Sequence, residues 1–171
     1  ESDQTELGLY FYKEPPAKAL SVIAASDTEF NIPPGVEDQP VSAARVFPEP
    51  VELWGLSPHM HYRGARARFE LSLPNSPRRT LLNVPYYQFD WQPLYFFEEP
   101  IALPAGARID VSGGFDNSKS NPKNPDPTKT GEFGEQSFEE MFKLRPEIVR
   151  PVGSEDELDD KKDKKGKKGK K

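Results

Sequence analysis

The chain has 171 residues, with no cysteine, 19 prolines, 12 glycines and a formal net charge of −5 at pH 7. This length is enough for one well-buried domain, whereas the lack of cysteine excludes disulfide bonds and thiolate metal sites. The frequent prolines and glycines exclude long helices over most of the chain and favour an all-β domain. No apolar stretch approaches membrane-spanning length and no signal-peptide pattern is present, so we expect a fragment of a longer protein without a membrane span.

Short apolar runs bounded by prolines predict strands in the first part of the chain. The apolar and aromatic run at residues 7–12 ends before two prolines and is predicted as the first strand. Further strands are expected at residues 19–25, 40–47 and 51–56, and residues 30–35 are expected to form a loop or a strand end.

Alternation of apolar and polar residues continues the pattern in the second part. Residues 65–73 place their odd-numbered apolar side chains on one face, and a turn follows at Asn75. Strands are also expected at residues 81–92, 94–97, 100–103 and 107–115, with a turn at Gly106. Many short strands separated by turns predict an antiparallel β-sandwich.

The two histidines of the chain, His59 and His61, lie two residues apart. Successive side chains of a strand alternate between faces, so both imidazoles are expected on one side and Met60 on the other. Imidazole is a preferred ligand of copper, zinc, iron and nickel, and the pair therefore predicts a metal site. The alternative is two surface histidines that meet by chance. Without a bulge the pair would share the core-facing side of residues 65–73; a bulge at Gly64 would reverse this.

Two features follow the predicted sheets. Residues 116–127 form an Asn- and Pro-rich loop whose length is typical of a functional or mobile segment. Ser137 and Glu140 fit the capping box of a short helix, in which Met141 would be a core methionine.

The composition changes at the C-terminal end. Residues 153–171 contain an acidic block followed by lysines and glycines, which predicts a disordered tail after a domain at residues 1–152. A solubilising terminus is the favoured interpretation, and a polyanion-binding arm is the alternative. The tail has no aromatic residue to stack on bases, so no nucleic-acid partner is expected.

Five motifs occur in order along the chain: HMHYRG at residues 59–64, YQFDWQ at 87–92, LPAG at 103–106, FDNS at 115–118 and GEQSFEEM at 134–141. Together they resemble the C-terminal domain of the copper type II, ascorbate-dependent monooxygenases. That family includes peptidylglycine alpha-hydroxylating and dopamine beta-monooxygenases, and the loop at residues 121–127 is more similar to its bacterial members. The resemblance covers most of residues 7–150.

The resemblance implies a jelly roll of eight or nine strands that holds one copper ion per chain. The implied metal ligands, which are also the catalytic residues, are His59, His61 and Met141. The resemblance places Met141 on a strand, and we favour this over the helix that the capping box indicates. A thioether suits Cu(I) and imidazole suits both copper states, and this set leaves a position open for dioxygen. A closed zinc site would take a fourth ligand, usually from Cys or His, so copper is the expected metal.

The implied activity is that of a copper-dependent monooxygenase, which hydroxylates a C–H bond of a small-molecule substrate with dioxygen and an external reductant. The resemblance also implies an upstream N-terminal domain with its own copper as electron donor, and an extracytoplasmic (secreted or periplasmic) location. Peptide amidation is not expected, because Ser57 stands where the peptide-amidating enzyme has an arginine.

Other interpretations remain open from the sequence. The chain could be a copper-binding or electron-transfer module of a multidomain redox protein without its own substrate chemistry, or a jelly-roll interaction domain that has lost the metal. The aromatic residues Tyr62, Tyr87, Phe89 and Trp91 are expected either to line a substrate cleft or to belong to the core.

Overall fold

A computed structural model describes residues 4–152 of the chain, and the predicted tail lies outside this range. Within it the regular secondary structure is entirely β: β1 (Lys18–Val22), β2 (Ala25–Asp27), β3 (Asn31–Ile32), β4 (Gln39–Val46), β5 (Val51–His59), β6 (Gly64–Ser72), β7 (Arg79–Val84), β8 (Tyr95–Leu103), β9 (Arg108–Phe115), β10 (Gly131–Glu132) and β11 (Phe142–Pro151). These residues contain no helix long and apolar enough to cross a membrane.

The strands form two main antiparallel sheets. The first has the order β1-β11-β5-β8, with β2 also paired to β11, and the second has the order β4-β9-β6-β7. Strands β3 and β10 form a separate two-stranded ladder. Each main sheet combines strands from both halves of the chain in the order of a jelly roll. The predicted all-β antiparallel sandwich is therefore confirmed.

The core lies between the two main sheets and takes large side chains from both. The first sheet contributes Leu53, Leu56, Leu144 and Ile148, and the second contributes Phe69, Leu71, Ile109 and Val111, each at most 1% exposed. Full burial of one such side chain stabilises the fold by about 1.5–3 kcal/mol. A Cβ atom added to Gly113 of β9 would lie 2.7 Å from Cε2 of Phe142 of β11, so the sheets pack closely beside the start of β11.

A turn separates the histidine segment from β6. The predicted alternation in β6 is confirmed, since Ala67 and Phe69 are buried, but the β6–β9 register shifts between Gly64 and Arg66. Met60 is fully buried in the core. Both alternatives for the histidine pair assumed one strand through residues 59–73, and neither applies, because β5 ends at His59 and β6 begins at Gly64 in the other sheet.

The prediction of a strand at residues 7–12 is wrong. Residues 4–19 and 150–152 belong to one compact unit, and residues 20–149 form the other. Residues 7–12 have no regular structure, and Tyr10 and Phe11 are 99% and 84% exposed. A strand needs a neighbouring strand to accept and donate its backbone hydrogen bonds, and no described strand pairs with this segment.

Three strand predictions also differ from the structure. The run expected at residues 19–25 is divided between β1 and β2. The strand expected at residues 81–92 ends at Val84, because Pro85 follows and the chain turns. The runs expected at residues 94–97 and 100–103 instead form the single strand β8. Pro100 is tolerated inside β8 because this strand lies at the edge of its sheet.

The short helix predicted from Ser137 and Glu140 is absent, and residues 137–138 form a turn. The carboxylate of Glu140 points into the protein, where it accepts the backbone N–H groups of His61 and Arg63. Because both carboxylate oxygens are engaged by a distant segment, Glu140 does not complete a local capping box.

Candidate metal centre

The structure brings the two histidines together at the end of β5. His59 is the last residue of this strand, and the ring centroids of His59 and His61 are 5.2 Å apart with the planes at 79°. Two imidazoles bound to one ion through metal–nitrogen bonds of about 2 Å, at a roughly tetrahedral angle, have centroids about 5 Å apart. The spacing of the pair therefore fits a shared metal ion.

Gln92 fixes the tautomer of His59. Nε2 of Gln92 donates to the carbonyl of Phe89 at 2.7 Å, which turns Oε1 of Gln92 toward Nδ1 of His59 at 2.7 Å. An amide oxygen only accepts, so Nδ1 of His59 carries the proton and Nε2 keeps its lone pair. A metal-ligating histidine commonly donates its other ring N–H in this way.

His61 is almost completely buried, with 5% of its surface exposed. Its Nδ1 atom is buried and has no hydrogen-bond partner among the described residues, and its ring meets Phe89 edge-on at 6.3 Å. A buried polar atom without a partner costs about 1–3 kcal/mol. A buried imidazole nitrogen without a hydrogen-bond partner, beside a second imidazole, is consistent with a site for a metal ion.

Met141 is half-buried and immediately precedes β11. In the β5–β11 ladder Lys143 lies opposite His59 and Leu144 opposite Pro58. The ladder ends at the His59–Lys143 pair, two residues after Met141 in the sequence. The segment that carries Met141 therefore leads directly into the strand that pairs with the His59 end of β5.

Glu140 links these two segments through its side chain. It is fully buried, its Oε2 accepts the N–H of His61 at 3.0 Å and its Oε1 accepts the N–H of Arg63 at 2.6 Å. Burial raises the pKa of Glu140 to about 7, although the backbone N–H groups of Arg63, His61 and Met141 and the Arg63 charge act in the opposite direction. Arg63 is also buried, with Nη1 3.8 Å from Oε1 of Glu140.

The charge state of His59 favours metal binding. Burial lowers the pKa of His59, the hydrogen bond that His59 donates to Gln92 opposes this, and the electrostatic influence of His61, Arg145 and Lys143 lowers it further. A neutral imidazole is the form that coordinates a metal ion.

The four aromatic residues expected at the site have different roles. Phe89 contacts both His61 and Tyr62, whose ring centroid is 4.6 Å from that of Phe89. Tyr87 is buried, and its hydroxyl accepts the N–H of Met60 at 2.9 Å and donates to the carbonyl of Met60 at 2.7 Å. Trp91 is 72% exposed. Phe89 and Tyr62 therefore form an apolar wall beside the imidazoles, whereas Tyr87 supports the backbone.

Sequence reasoning missed Gln92, Arg63 and Glu140 as residues that support the site, and also Asn117, whose Oδ1 accepts Nε of Arg63 at 2.8 Å. Each lies inside one of the motifs that carry the family resemblance, which was the only signal available. Glu140 was given a local role that its contacts with residues 61 and 63 exclude.

The donor set constrains the metal that fits. Among residues 4–152, no three His, Cys, Asp or Glu side chains cluster so that they could hold a metal ion. A third protein ligand at the histidine pair would have to be of another residue type, such as a thioether. Two imidazoles with one thioether suit copper better than zinc, calcium or magnesium.

Comparisons with known proteins do not assign the chain to a family. No family model matches the sequence, and no curated protein matches it. Among solved structures, the chain is similar to a family two carbohydrate esterase from Cellvibrio japonicus, with 13% identity and a TM-score of 0.25. The match covers 78% of this chain and 36% of the esterase, so the chain spans about a third of that protein. A similarity this low carries no argument about function.

Proposed function

We propose that the chain holds one copper ion on His59, His61 and Met141 and is the dioxygen-binding domain of a copper-dependent monooxygenase. Bound copper would supply the activation of dioxygen for hydroxylation of a C–H bond in a small-molecule substrate. Electrons would come from an external reductant through an upstream copper domain, and the location would be extracytoplasmic.

The observation that carries the proposal is the geometry of the histidine pair. The ring centroids lie 5.2 Å apart, one ring has a buried nitrogen that finds no partner within residues 4–152, and the other has its proton held by Gln92. Two surface histidines that meet by chance would have neither the burial of His61 nor the fixed tautomer of His59.

The residues of this chain would have separate roles in the reaction. His59 and His61 would hold the ion, and Met141 would stabilise its reduced state because a thioether is a soft ligand. The Gln92 amide keeps the proton on Nδ1 of His59, away from the side that faces the ion. Phe89 and Tyr62 would exclude water from the side of His61 and give an apolar substrate a surface to bind.

The test is the copper content and Cu(I) affinity of the purified chain and of two variants. We expect one copper per chain, a sharp loss of affinity in His59→Ala, and a selective loss of Cu(I) affinity in Met141→Leu. The matched control is Met60→Leu, because the chain has one other methionine and its side chain is buried in the core. Copper binding that is absent in the wild type, or unaffected by Met141→Leu, would contradict the proposal.

Oxygen consumption distinguishes the proposed enzyme from a copper or electron-transfer module. An oxygen-binding site that has been reduced consumes dioxygen when a hydroxylatable substrate is added, whereas an electron-transfer site is reoxidised without substrate dependence. The chain alone is expected to bind copper but to turn over slowly, because the proposed electron donor is in another domain. Full turnover without such a donor would overturn this assignment of roles.

A further inference from the structure

One fully buried carboxylate connects the two segments that carry the proposed ligands. Oε2 of Glu140 accepts the N–H of His61 at 3.0 Å, and Oε1 accepts the N–H of Arg63 at 2.6 Å. The backbone of Glu140 is held as well, since its N–H donates to the carbonyl of Glu132 at 2.9 Å and its carbonyl accepts the N–H of Gly134 at 3.0 Å. The side chain and the backbone of this residue are therefore both fixed.

We propose that Glu140 is a positioning residue that sets the approach of Met141 to the histidine pair, and thereby the preference of the site for Cu(I) over Cu(II). The inference rests on the proposed function. In residues 4–152 the β5–β11 ladder ends at the His59–Lys143 pair, before it reaches either His61 or Met141. Beyond that pair, the carboxylate of Glu140 ties the segment of Met141 to the backbone of His61.

The residue type fits this role better than a purely structural one. Burying a carboxylate is costly unless its oxygens receive hydrogen bonds, and each oxygen of Glu140 receives a backbone N–H. An amide at this position has one oxygen and one NH2 group, so one of the two N–H donors would face another donor. The two hydrogen bonds to His61 and Arg63 thus require two acceptor oxygens on one side chain. Because both oxygens are used, the carboxylate has a supporting role.

Further hydrogen bonds fix Arg63, whose backbone N–H is one of the two donors to Glu140. Its Nη1 donates to the carbonyl of Phe138 at 2.9 Å, and its Nε donates to Oδ1 of Asn117 at 2.8 Å. The amide NH2 of Asn117, itself fully buried, donates to the carbonyls of Ile32, Pro33 and Lys129. Arg63 therefore connects the His61 turn with the long loop that follows β9, so the geometry at His61 depends on contacts from several distant segments.

The test is Glu140→Gln in the full chain, with Cu(I) and Cu(II) affinities and the electron paramagnetic resonance spectrum of the Cu(II) form. We expect Cu(I) affinity to fall by about 10–100-fold, the range for loss of a group that orients a metal ligand. Cu(II) affinity should fall less, because the imidazoles dominate that state and the thioether contributes mainly to Cu(I). The ratio of the two affinities therefore decreases, and the copper hyperfine splitting changes.

Two controls separate positioning from loss of stability. Glu139→Gln alters the adjacent carboxylate, which accepts the N–H of Gln136 in the surface turn, and should leave the affinity ratio unchanged. Ile109→Ala creates a cavity in the other sheet and lowers stability, and it should also leave the ratio unchanged. If Glu140→Gln does not fold, Glu140→Asp keeps the charge with a shorter reach and should lower the ratio relative to the wild type.

The outcomes are distinguishable. A folded Glu140→Gln or Glu140→Asp variant with the wild-type affinity ratio and spectrum would overturn the inference and leave the copper proposal standing. The same shift in Ile109→Ala would also overturn it, because stability would then explain the effect. A wild-type chain that binds no copper would overturn the proposed function, and this inference with it.

Discussion

Gln92 determines which nitrogen of His59 is available to a metal ion. Its amide is oriented by the carbonyl of Phe89, and that orientation places an acceptor 2.7 Å from Nδ1 of His59. We expect Gln92→Leu to lower copper affinity about 10–100-fold, because the ring loses the partner that fixes its tautomer and orientation. Competition titration against a chelator of known affinity measures this change, with the thermal unfolding midpoint recorded beside it.

The control for Gln92 is Gln88→Leu, an exposed glutamine in the same segment. It introduces the same apolar side chain without a contact to His59, so copper affinity should stay at the wild-type value. If both variants bind copper equally well, the amide of Gln92 does not hold the imidazole, and the tautomer assigned to His59 is incorrect.

Tyr87 supports the backbone between the two imidazoles. Its hydroxyl both accepts from and donates to the backbone of Met60, and burial raises the pKa of Tyr87 so that the hydroxyl stays protonated. Tyr87→Phe leaves a buried N–H and a buried carbonyl without partners, and we expect the free energy of unfolding to fall by about 1–3 kcal/mol. Urea denaturation measures it, with Tyr86→Phe as the control, because Tyr86 is 84% exposed. Equal effects of the two changes would exclude this supporting role.

At the scale of single residues, the sequence predicts the pairing of the imidazoles but not their partners. His59 and His61 are two residues apart, and alternation along a strand is a local property. Gln92 lies 33 positions from His59 and Glu140 lies 79 positions from His61, so only the folded chain brings them together. The residue type alone does not predict these contacts, because a glutamine or a glutamate can form hydrogen bonds with many partners.

The turn between β5 and β6 is the element that carries His61, and Gly64 closes it. The N–H of Gly64 donates to the carbonyl of His61 at 3.1 Å. A Cβ atom on Gly64 would lie 2.7 Å from Cβ of Met60 and 2.8 Å from Cδ1 of Tyr87, and both residues are buried. Gly64→Ala is expected to lower the free energy of unfolding by about 1–3 kcal/mol. Copper affinity should fall too, because relief of the clash displaces the turn.

Gly8→Ala is the matched change for Gly64. The nearest atom to a Cβ on Gly8 is Cε2 of Tyr10 at 3.8 Å, which is ordinary contact. Denaturant unfolding should therefore give the wild-type free energy for Gly8→Ala. A Gly64→Ala chain as stable as Gly8→Ala would mean that Met60 and Tyr87 can move aside without cost.

At the scale of elements, local patterns predicted most of the strands but placed several strand ends incorrectly. β6 was predicted because its alternation is continuous, whereas the capping box at Ser137 and Glu140 was misleading. A capping box describes only a local contact, and the buried donors of His61 and Arg63 compete for the same carboxylate. β8 shows the same limit, because the effect of Pro100 depends on whether the strand lies at a sheet edge.

At the scale of the whole molecule, the β-sandwich was predictable from composition and turn spacing. Frequent prolines exclude helices, and short alternating strands bury one face each. The jelly-roll order was implied only by the resemblance, because pairing of β5 with β11 joins segments with no local signal for each other. The unpaired state of residues 7–12 was not predictable either, since the run has the composition of a buried strand.

The exposed apolar run at residues 7–12 gives the last prediction. Leu9 and Phe11 are 66% and 84% exposed, and clustered exposed apolar side chains favour association between copies or with a partner. The double variant Leu9→Glu and Phe11→Lys keeps the net charge and should reduce concentration-dependent self-association in sedimentation velocity. Its unfolding midpoint should be unchanged, because these side chains contribute little burial. The control introduces the same charges at the exposed polar residues Asn83 and Gln88. A lower midpoint in the first variant alone would mean that the run packs against its own chain in solution.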